Sequence, residues 1–217
     1  MASEVQLCNF ALSNIRAGTI SALDEASLPA TQCNLKYTTI RDRMLKEMWG
    51  FNRKIDALAV LTSTLYNWAY VYQYPSDCLK INRLIGEQEA LDSSTSSVAS
   101  RMRDVQLLSI RGSIPKIPYE VFNIAGNKVI GSNDSGLQIE YAARITDVNL
   151  FSDDFKLAFS HLMASEIAIA VVGGKMGREF RDDELKLYNG YLNAAIADNM
   201  NEGYQEPRLS EFELARR

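Results

Sequence analysis

Histidine is almost missing from this chain: His161 is the only one in 217 residues. Chemistry that turns on an imidazole base has one candidate, and it stands in no GxSxG or HExxH context. The bland reading of His161 is a helix-interface or surface residue. Cysteine is scarce too. Cys8, Cys33 and Cys78 lie far apart and form no CxxC pair, so structural zinc lacks its ligands and no disulfide framework is indicated. They read as reduced thiols of a protein made in a cytosol. Long apolar runs are absent as well. The longest, Ile167 to Val172, is far below the ~20 residues of a bilayer-crossing helix, and the opening MASEVQLCNFALSN lacks the segments of a signal peptide. A soluble, non-secreted chain with no membrane contact is expected. Surplus positive charge is also lacking. The 23 Lys and Arg against 27 Asp and Glu give a net charge of −4, which argues against general nucleic-acid binding.

What is present fits a globular protein. Hydrophobic residues make up 47% and charged residues 23%, and a chain of this length buries a core without metal or disulfide staples. The pattern predicts an α+β fold, mainly α. An antiparallel helical bundle from the two chain ends (1–54 and 150–203) encloses a β-rich middle subdomain (55–149).

Near the start, Val5, Leu7, Cys8, Leu12 and Ile15 step mostly by three or four residues, a short helix that Gly18 should stop. Ser27 offers an N-cap with Pro29 in the first turn. Ala30, Cys33, Tyr37, Ile40, Met44 and Met48 then mark a helix ending near Gly50. Ile55 to Leu61 reads as a strand, and Trp68 to Tyr74 as a second, aromatic and β-branched one. Leu79 to Ile85 is placed beside it. A polar, serine-rich stretch follows, a long loop near 87–116. Tyr119–Ile124 and Lys128–Gly131 flank a hairpin turn, and Leu137, Ile139 and Tyr141 complete an expected three-strand meander. Ser152 caps a helix running to Gly173-Gly174, with Asp153 and Asp154 suited to its dipole. A last helix is expected from about Asp182 to Met200, with Leu185, Tyr188, Leu192, Ala195 and Ile196 on one face. An aperiodic tail, 204–217, ends the chain.

Candidate chemistry is thin. The carboxylate pairs Asp24-Glu25, Asp153-Asp154 and Asp182-Asp183 lie at or near expected helix starts, where they cap rather than catalyse. The GGKMG segment at 173–177 has no following GKS/T and follows a helix, so it reads as a helix-ending turn. Two features suggest contact surfaces. Lys36, Arg41, Arg43, Lys46, Arg53 and Lys54 face only Asp42 and Glu47 across one stretch, a solvated helix side, a protein-docking face or a nucleic-acid patch. Tyr66, Trp68, Tyr70, Tyr72 and Tyr74 alternate and, on one strand, share a face that must be covered.

Ordered together, some of these residues resemble a known family. Ile20-Ser21, Leu23-Asp24-Glu25, Ser27, Tyr37, Arg41-Asp42, Leu45, Trp49, Phe51 and Arg53-Lys54 are similar to the opening of the tail tubular protein A, or head–tail adaptor, family of short-tailed bacteriophages. Trp68-Ala69-Tyr70, Tyr72, Tyr74-Pro75 and Asp77-Cys78-Leu79 match a second hallmark. Leu150-Phe151-Ser152, Phe155, Ala158-Phe159, Leu162 and Ile167-Ala168 resemble the family's penultimate helix. Together they touch about two-thirds of the chain.

The resemblance implies a structural protein of the virion tail, made in the host cytoplasm and not an enzyme. It implies a homo-oligomeric ring, a dodecamer in the family, that joins the portal protein to the tail nozzle (tail tubular protein B) and helps seat tail fibres. DNA would pass through its channel during genome ejection without specific binding, and no cofactor or metal is implied. Interface candidates are the basic residues named above, Tyr70 and Tyr72, and in the tail Arg208, Phe212, Leu214, Arg216 and Arg217. The tail is expected to order on the portal or a neighbouring subunit, so truncation after Gly203 should spare folding and impair attachment. Two alternatives remain: a tail-associated cell-wall hydrolase, with Glu166 or Glu140 as its carboxylate, and a small DNA-binding protein using the basic helix.

Overall fold

The computed structural model describes residues 3–47, 49–86 and 117–201. They form an α+β structure, mainly α, in two compact units. One unit holds 3–41, 49–51 and 147–201 of the described residues, the other 42–47, 52–86 and 117–146. The loop expected near 87–116 and the tail 204–217 fall outside the described residues.

The helical unit contains α1 (Glu4–Asn14), most of α2 (Leu28–Leu45), α3 (Asp153–Val172) and α4 (Gly174–Asn201). Ser3 caps α1 by accepting from the Gln6 N–H. The helix ends before Gly18: Arg16 takes a left-handed φ of 57° and the Ala17 N–H bonds back to the Leu12 carbonyl. That is the helix-ending geometry the sequence assigned to the glycine. Ser27 caps α2 through the Ala30 N–H, but α2 stops at Leu45 rather than near Gly50. Asn52 explains part of this, since its side-chain amide donates to the Leu45 carbonyl at 2.6 Å and satisfies an end that lacks a helical partner.

Ser152 caps α3 through the Phe155 N–H, with Asp153 and Asp154 in the first turn as the sequence predicts. By length and composition α3 is apolar enough to cross a membrane, yet 56% of that stretch is buried within the protein. Its apolar character is that of a core helix. Phe155 is the hub, its ring packed against Trp49, Phe51, Phe151 and Phe159, while Tyr37 meets Phe159 edge-on.

Gly173, at φ 75° and ψ 174°, ends α3 in a region that only glycine adopts readily. Helix α4 starts at the next residue, well ahead of the expected Asp182. Asp182 and Asp183 therefore sit inside a helix, neutralised by Arg181 and Lys186, and cap nothing. Glu25 likewise does not start α2; it accepts from the N–H and hydroxyl of Ser21 in the preceding loop. Helices α3 and α4 run antiparallel, with Gly177 beside Ala168 and His161 beside Glu184.

The β unit consists of β1 (Arg53–Ala57), β2 (Val60–Leu61), β3 (Tyr70–Gln73), β4 (Cys78–Ile85), β5 (Tyr119–Ile124), β6 (Asn127–Ser132) and β7 (Gln138–Ala143). They form two antiparallel sheets, ordered β1-β7-β4 and β2-β3-β6-β5. Four expectations change here. Leu79–Ile85, expected beside Trp68–Tyr74, belongs to β4 and pairs with β7 in the other sheet. The strand expected over Ile55–Leu61 is two strands in different sheets, because the chain crosses over at Leu58-Ala59. The hairpin β5–β6 forms, but β7 leaves it to pair with β1 and β4, so there is no meander. The aromatic alternation breaks at Asn67, whose φ of 71° turns the chain. Tyr66 is then 91% exposed, Tyr72 is fully buried, and Trp68 lies across Gly131.

The β core gathers Leu58, Tyr72, Leu84, Ile130, Leu137, Ile139, Tyr141 and Ala143 from both sheets. β7 is the central strand and is buried at five successive positions.

Candidate interaction surfaces

The basic residues between Lys36 and Lys54 do not form one free patch. Lys36 is tied to Glu166 of α3, its Nζ at 3.1 Å from the carboxylate and 2.7 Å from the backbone carbonyl. Arg41 is buried, lies over the Tyr37 ring and stands 3.9 Å from Glu4. Arg53 pairs with Glu140, and Lys54 bonds Asp77 at 2.6 Å. Arg43 and Lys46 are exposed. The signal missed in the sequence is that the acids answering these cations lie far along the chain, on α1, on α3, on β7 and in the turn before β4.

The carboxylates considered for hydrolysis are in paired surroundings. Glu166 holds Lys36. Glu140 is 1% exposed on β7, with the Arg83 Nε at 2.6 Å from one oxygen and Arg53 on the other. Burial alone would raise its pKa, but the Arg83 hydrogen bond and the charges of Arg53 and Arg83 outweigh it and hold the carboxyl below its usual value. A general acid for glycoside cleavage needs the opposite shift. On the sheet's other face, the Tyr141 hydroxyl lies between Asp56 (2.7 Å) and Asp77 (3.0 Å). Burial, then the two carboxylates, push its pKa up.

His161 is fixed by structure. Its Nδ1 is 2.7 Å from Glu184 Oε2, and its ring stacks on Tyr191 at 4.8 Å. Ser160, next to it, hydrogen-bonds back to the Leu157 carbonyl. Among the described residues no group of three or more His, Cys, Asp or Glu side chains is placed to hold a metal ion.

A recess of about 260 Å³ is lined by Phe51, Leu150, Ser152, Asp154, Ala195, Asp198 and Asn199. Asp154 has its pKa raised there by loss of solvent and by the Asp198 carboxylate. The Asn199 side chain accepts from the Gly50 N–H at 2.6 Å.

The surface that sequence reasoning missed lies on α4. Its buried residues are small or polar: Gly177, Glu184 and Ala195. Of its large apolar side chains, Phe180, Tyr188, Leu192 and Ile196 are half-buried, whereas Met176, Leu185, Leu187 and Met200 are exposed, as are Leu157 and Ile169 of α3. Leu185, grouped on one face with Tyr188, Leu192, Ala195 and Ile196 by its period, is 43% exposed, whereas Ala195 is buried and the other three are half-buried. Gly177 marks the close approach of α3 and α4. A Cβ there would stand 3.0 Å from the Ala168 carbonyl and 3.1 Å from the Ile169 Cα, so only a side-chain-free surface lets the helices close.

Tyr70 is exposed at the end of β3, its ring 6.3 Å from that of Tyr72, which is buried and donates its hydroxyl to the Asp134 carbonyl. Tyr70 remains an interface candidate, whereas Tyr72 belongs to the core. Arg208, Phe212, Leu214, Arg216 and Arg217 lie outside the described residues. No family model and no curated protein matches this chain.

Proposed function

We propose that this chain is a structural adaptor of the head–tail connector of a short-tailed bacteriophage. In this reading it is a ring-forming protein that joins the portal to the tail nozzle, lets DNA pass and seats tail fibres. The observation that supports the reading beside the sequence resemblance is the exposure of Met176, Leu185, Leu187 and Met200 on α4. Large apolar side chains left exposed on a long helix are surface available for packing against other chains.

A closed ring needs head-to-tail contacts, so each chain must offer two different surfaces. The exposed apolar residues of α4 supply one. The exposed cations Arg43 and Lys46 supply part of a second, polar one. Arg41 is not part of it, because its guanidinium is committed to Tyr37 and Glu4. The net charge of −4 suits passage of DNA, since the chain has no cationic surplus with which to hold phosphates.

The test is to add labelled, purified chain to tailless, DNA-filled heads and count bound copies. Saturable binding of about a dozen copies at a single vertex is the expected outcome for such a ring. Absence of vertex binding by properly folded protein overturns the reading.

A further inference from the structure

The sheet ordered β1-β7-β4 ends on one side at β1, and all five residues of that strand, Arg53 to Ala57, are exposed. The ladder tells which of its backbone groups face outward. The Leu58 N–H bonds the Leu137 carbonyl at 2.9 Å, one step beyond the register pair Ala57 and Gln138. Hydrogen-bonded pairs alternate along an antiparallel ladder, so Lys54 and Asp56 direct their N–H and C=O groups to β7. Those of Arg53, Ile55 and Ala57 point the other way, where no strand stands among the described residues.

An edge of this kind is a template for another strand, and proteins usually blunt it. The opposite edge of the same sheet, β4, is broken by register shifts between Cys78 and Lys80 and between Ile81 and Arg83. In the second sheet, the edge strand β2 is only two residues long. The other edge strand there, β5, carries a single charge, Glu120, and no cation to answer it. By contrast, β1 is regular, and its sequence RKIDA is complementary to itself. Laid antiparallel about Ile55, it sets Lys54 opposite Asp56, Arg53 opposite Ala57 and Ile55 opposite its own copy.

We propose that β1 is the seam of a two-fold dimer, in which two copies of this chain join their sheets edge to edge. Ile55 exchanges both backbone hydrogen bonds with the partner's Ile55, and Arg53 does so with the partner's Ala57. Lys54 meets the partner's Asp56 at the closer, non-hydrogen-bonded spacing, where opposite charges attract. Both side chains have the capacity for this. The Lys54 ammonium bonds Asp77 at 2.6 Å and has further protons to donate, while Asp56 accepts from the Tyr141 hydroxyl on one of its two oxygens. Ile55, 50% exposed in the single chain, gains an apolar neighbour in its counterpart. The contact is isologous and uses neither α4 nor Arg43 and Lys46, so it is separate from the head-to-tail contacts of the ring.

Sedimentation velocity of the full-length chain over a range of concentrations is the first test, with a reversible monomer–dimer equilibrium expected. Ile55→Pro removes the central outward N–H and none of the bonds to β7, a place where an edge strand tolerates proline. The dimer should be lost in that variant. Cross-linking then checks the register in chains that keep the strand. Ile55→Cys in a Cys78→Ser background, treated with diamide, should give a dimer linked through position 55. Its formation should be about tenfold or more faster than in Val121→Cys in the same background, because pairing holds the two thiols together. Val121, 42% exposed on β5, is the matched control. A chain that stays monomeric at every concentration overturns the proposal. So does a dimer that survives in folded Ile55→Pro or is lost instead in Leu187→Asp. Equal cross-linking rates at positions 55 and 121 overturn it as well, and they decide the matter alone if the proline variant does not fold.

Discussion

Single residues set the tolerances of this protein. Gly131 on β6 is the clearest case, because a Cβ there would stand 2.8 Å from the Trp68 ring, with Phe122 3.1 Å away on the other side. Gly131→Ala should cost about 1–3 kcal/mol by overpacking. The loss would appear as a lower urea midpoint read by far-ultraviolet circular dichroism, and the added Trp68→Leu change should recover part of it. Tyr37 gives the opposite expectation. Its hydroxyl is buried and has no hydrogen-bond partner, while its ring packs on Phe159. Tyr37→Phe should leave stability unchanged or raise it by up to ~1 kcal/mol, since it removes an unpaired polar group and keeps the packing.

Glu140 makes the β unit sensitive to acid. Its folded pKa lies below the ordinary 4.5, so its stabilising effect is complete above that value and fades as pH falls through the lowered one. Asp77, although burial works to raise its pKa, is likewise held low by Lys54 and Tyr141, and it adds in the same direction. Glu140→Gln should lower stability at neutral pH by about 1–3 kcal/mol, the effect expected when a buried charge partner is lost. It should also flatten the decline below pH 4.5. Urea midpoints of both proteins across the acid range would check this.

At the scale of elements, the α3–α4 hairpin turns on two glycines with different tasks. Gly173 has open space around it but a glycine-only backbone, so Gly173→Ala should cost about 1–3 kcal/mol through conformation alone. Gly177 has ordinary helical backbone but no space, so its substitution should pry the helices apart. The other end of the hairpin carries a repulsion instead. Asp154 and Asp198 face each other, and the raised pKa of Asp154 means that its ionised form opposes folding. Asp198→Asn should therefore raise the Tm slightly at neutral pH, with a gain that shrinks in high salt, where such exposed charges are screened.

Many of these elements were legible in the sequence. Ser27 and Ser152 cap where their spacing says, because a cap is a local hydrogen bond between residues three apart. The start of α4 was not legible. Gly174 to Arg181 offers a single four-residue apolar step, Met176 to Phe180, among glycines and charges, and Gly177 in that stretch packs against Ala168 and Ile169 of α3.

For the whole molecule, the proposed ring makes a prediction that separates assembly from folding. Leu187→Asp on the outside of α4, and Arg43→Glu with Lys46→Glu, should leave the Tm within a degree or two, since these side chains are exposed. Both should reduce the number of copies bound at the head vertex. Arg41→Glu should instead lower the Tm, because it places an acid beside Glu4.

The sequence by itself determined the α+β class, the capped helices and the β5–β6 hairpin, all of which follow from composition or from residues a few positions apart. Tertiary structure alone decided which strand joins which sheet, since β7 pairs with β1 and β4 across long stretches of chain. It alone matched Lys36 with Glu166 and Arg83 with Glu140. It also set Gly177 of α4 against α3 and left Met176, Leu185, Leu187 and Met200 exposed. The physical reason is common to all of these: close approach and charge pairing depend on distances in space, which a one-dimensional period does not encode.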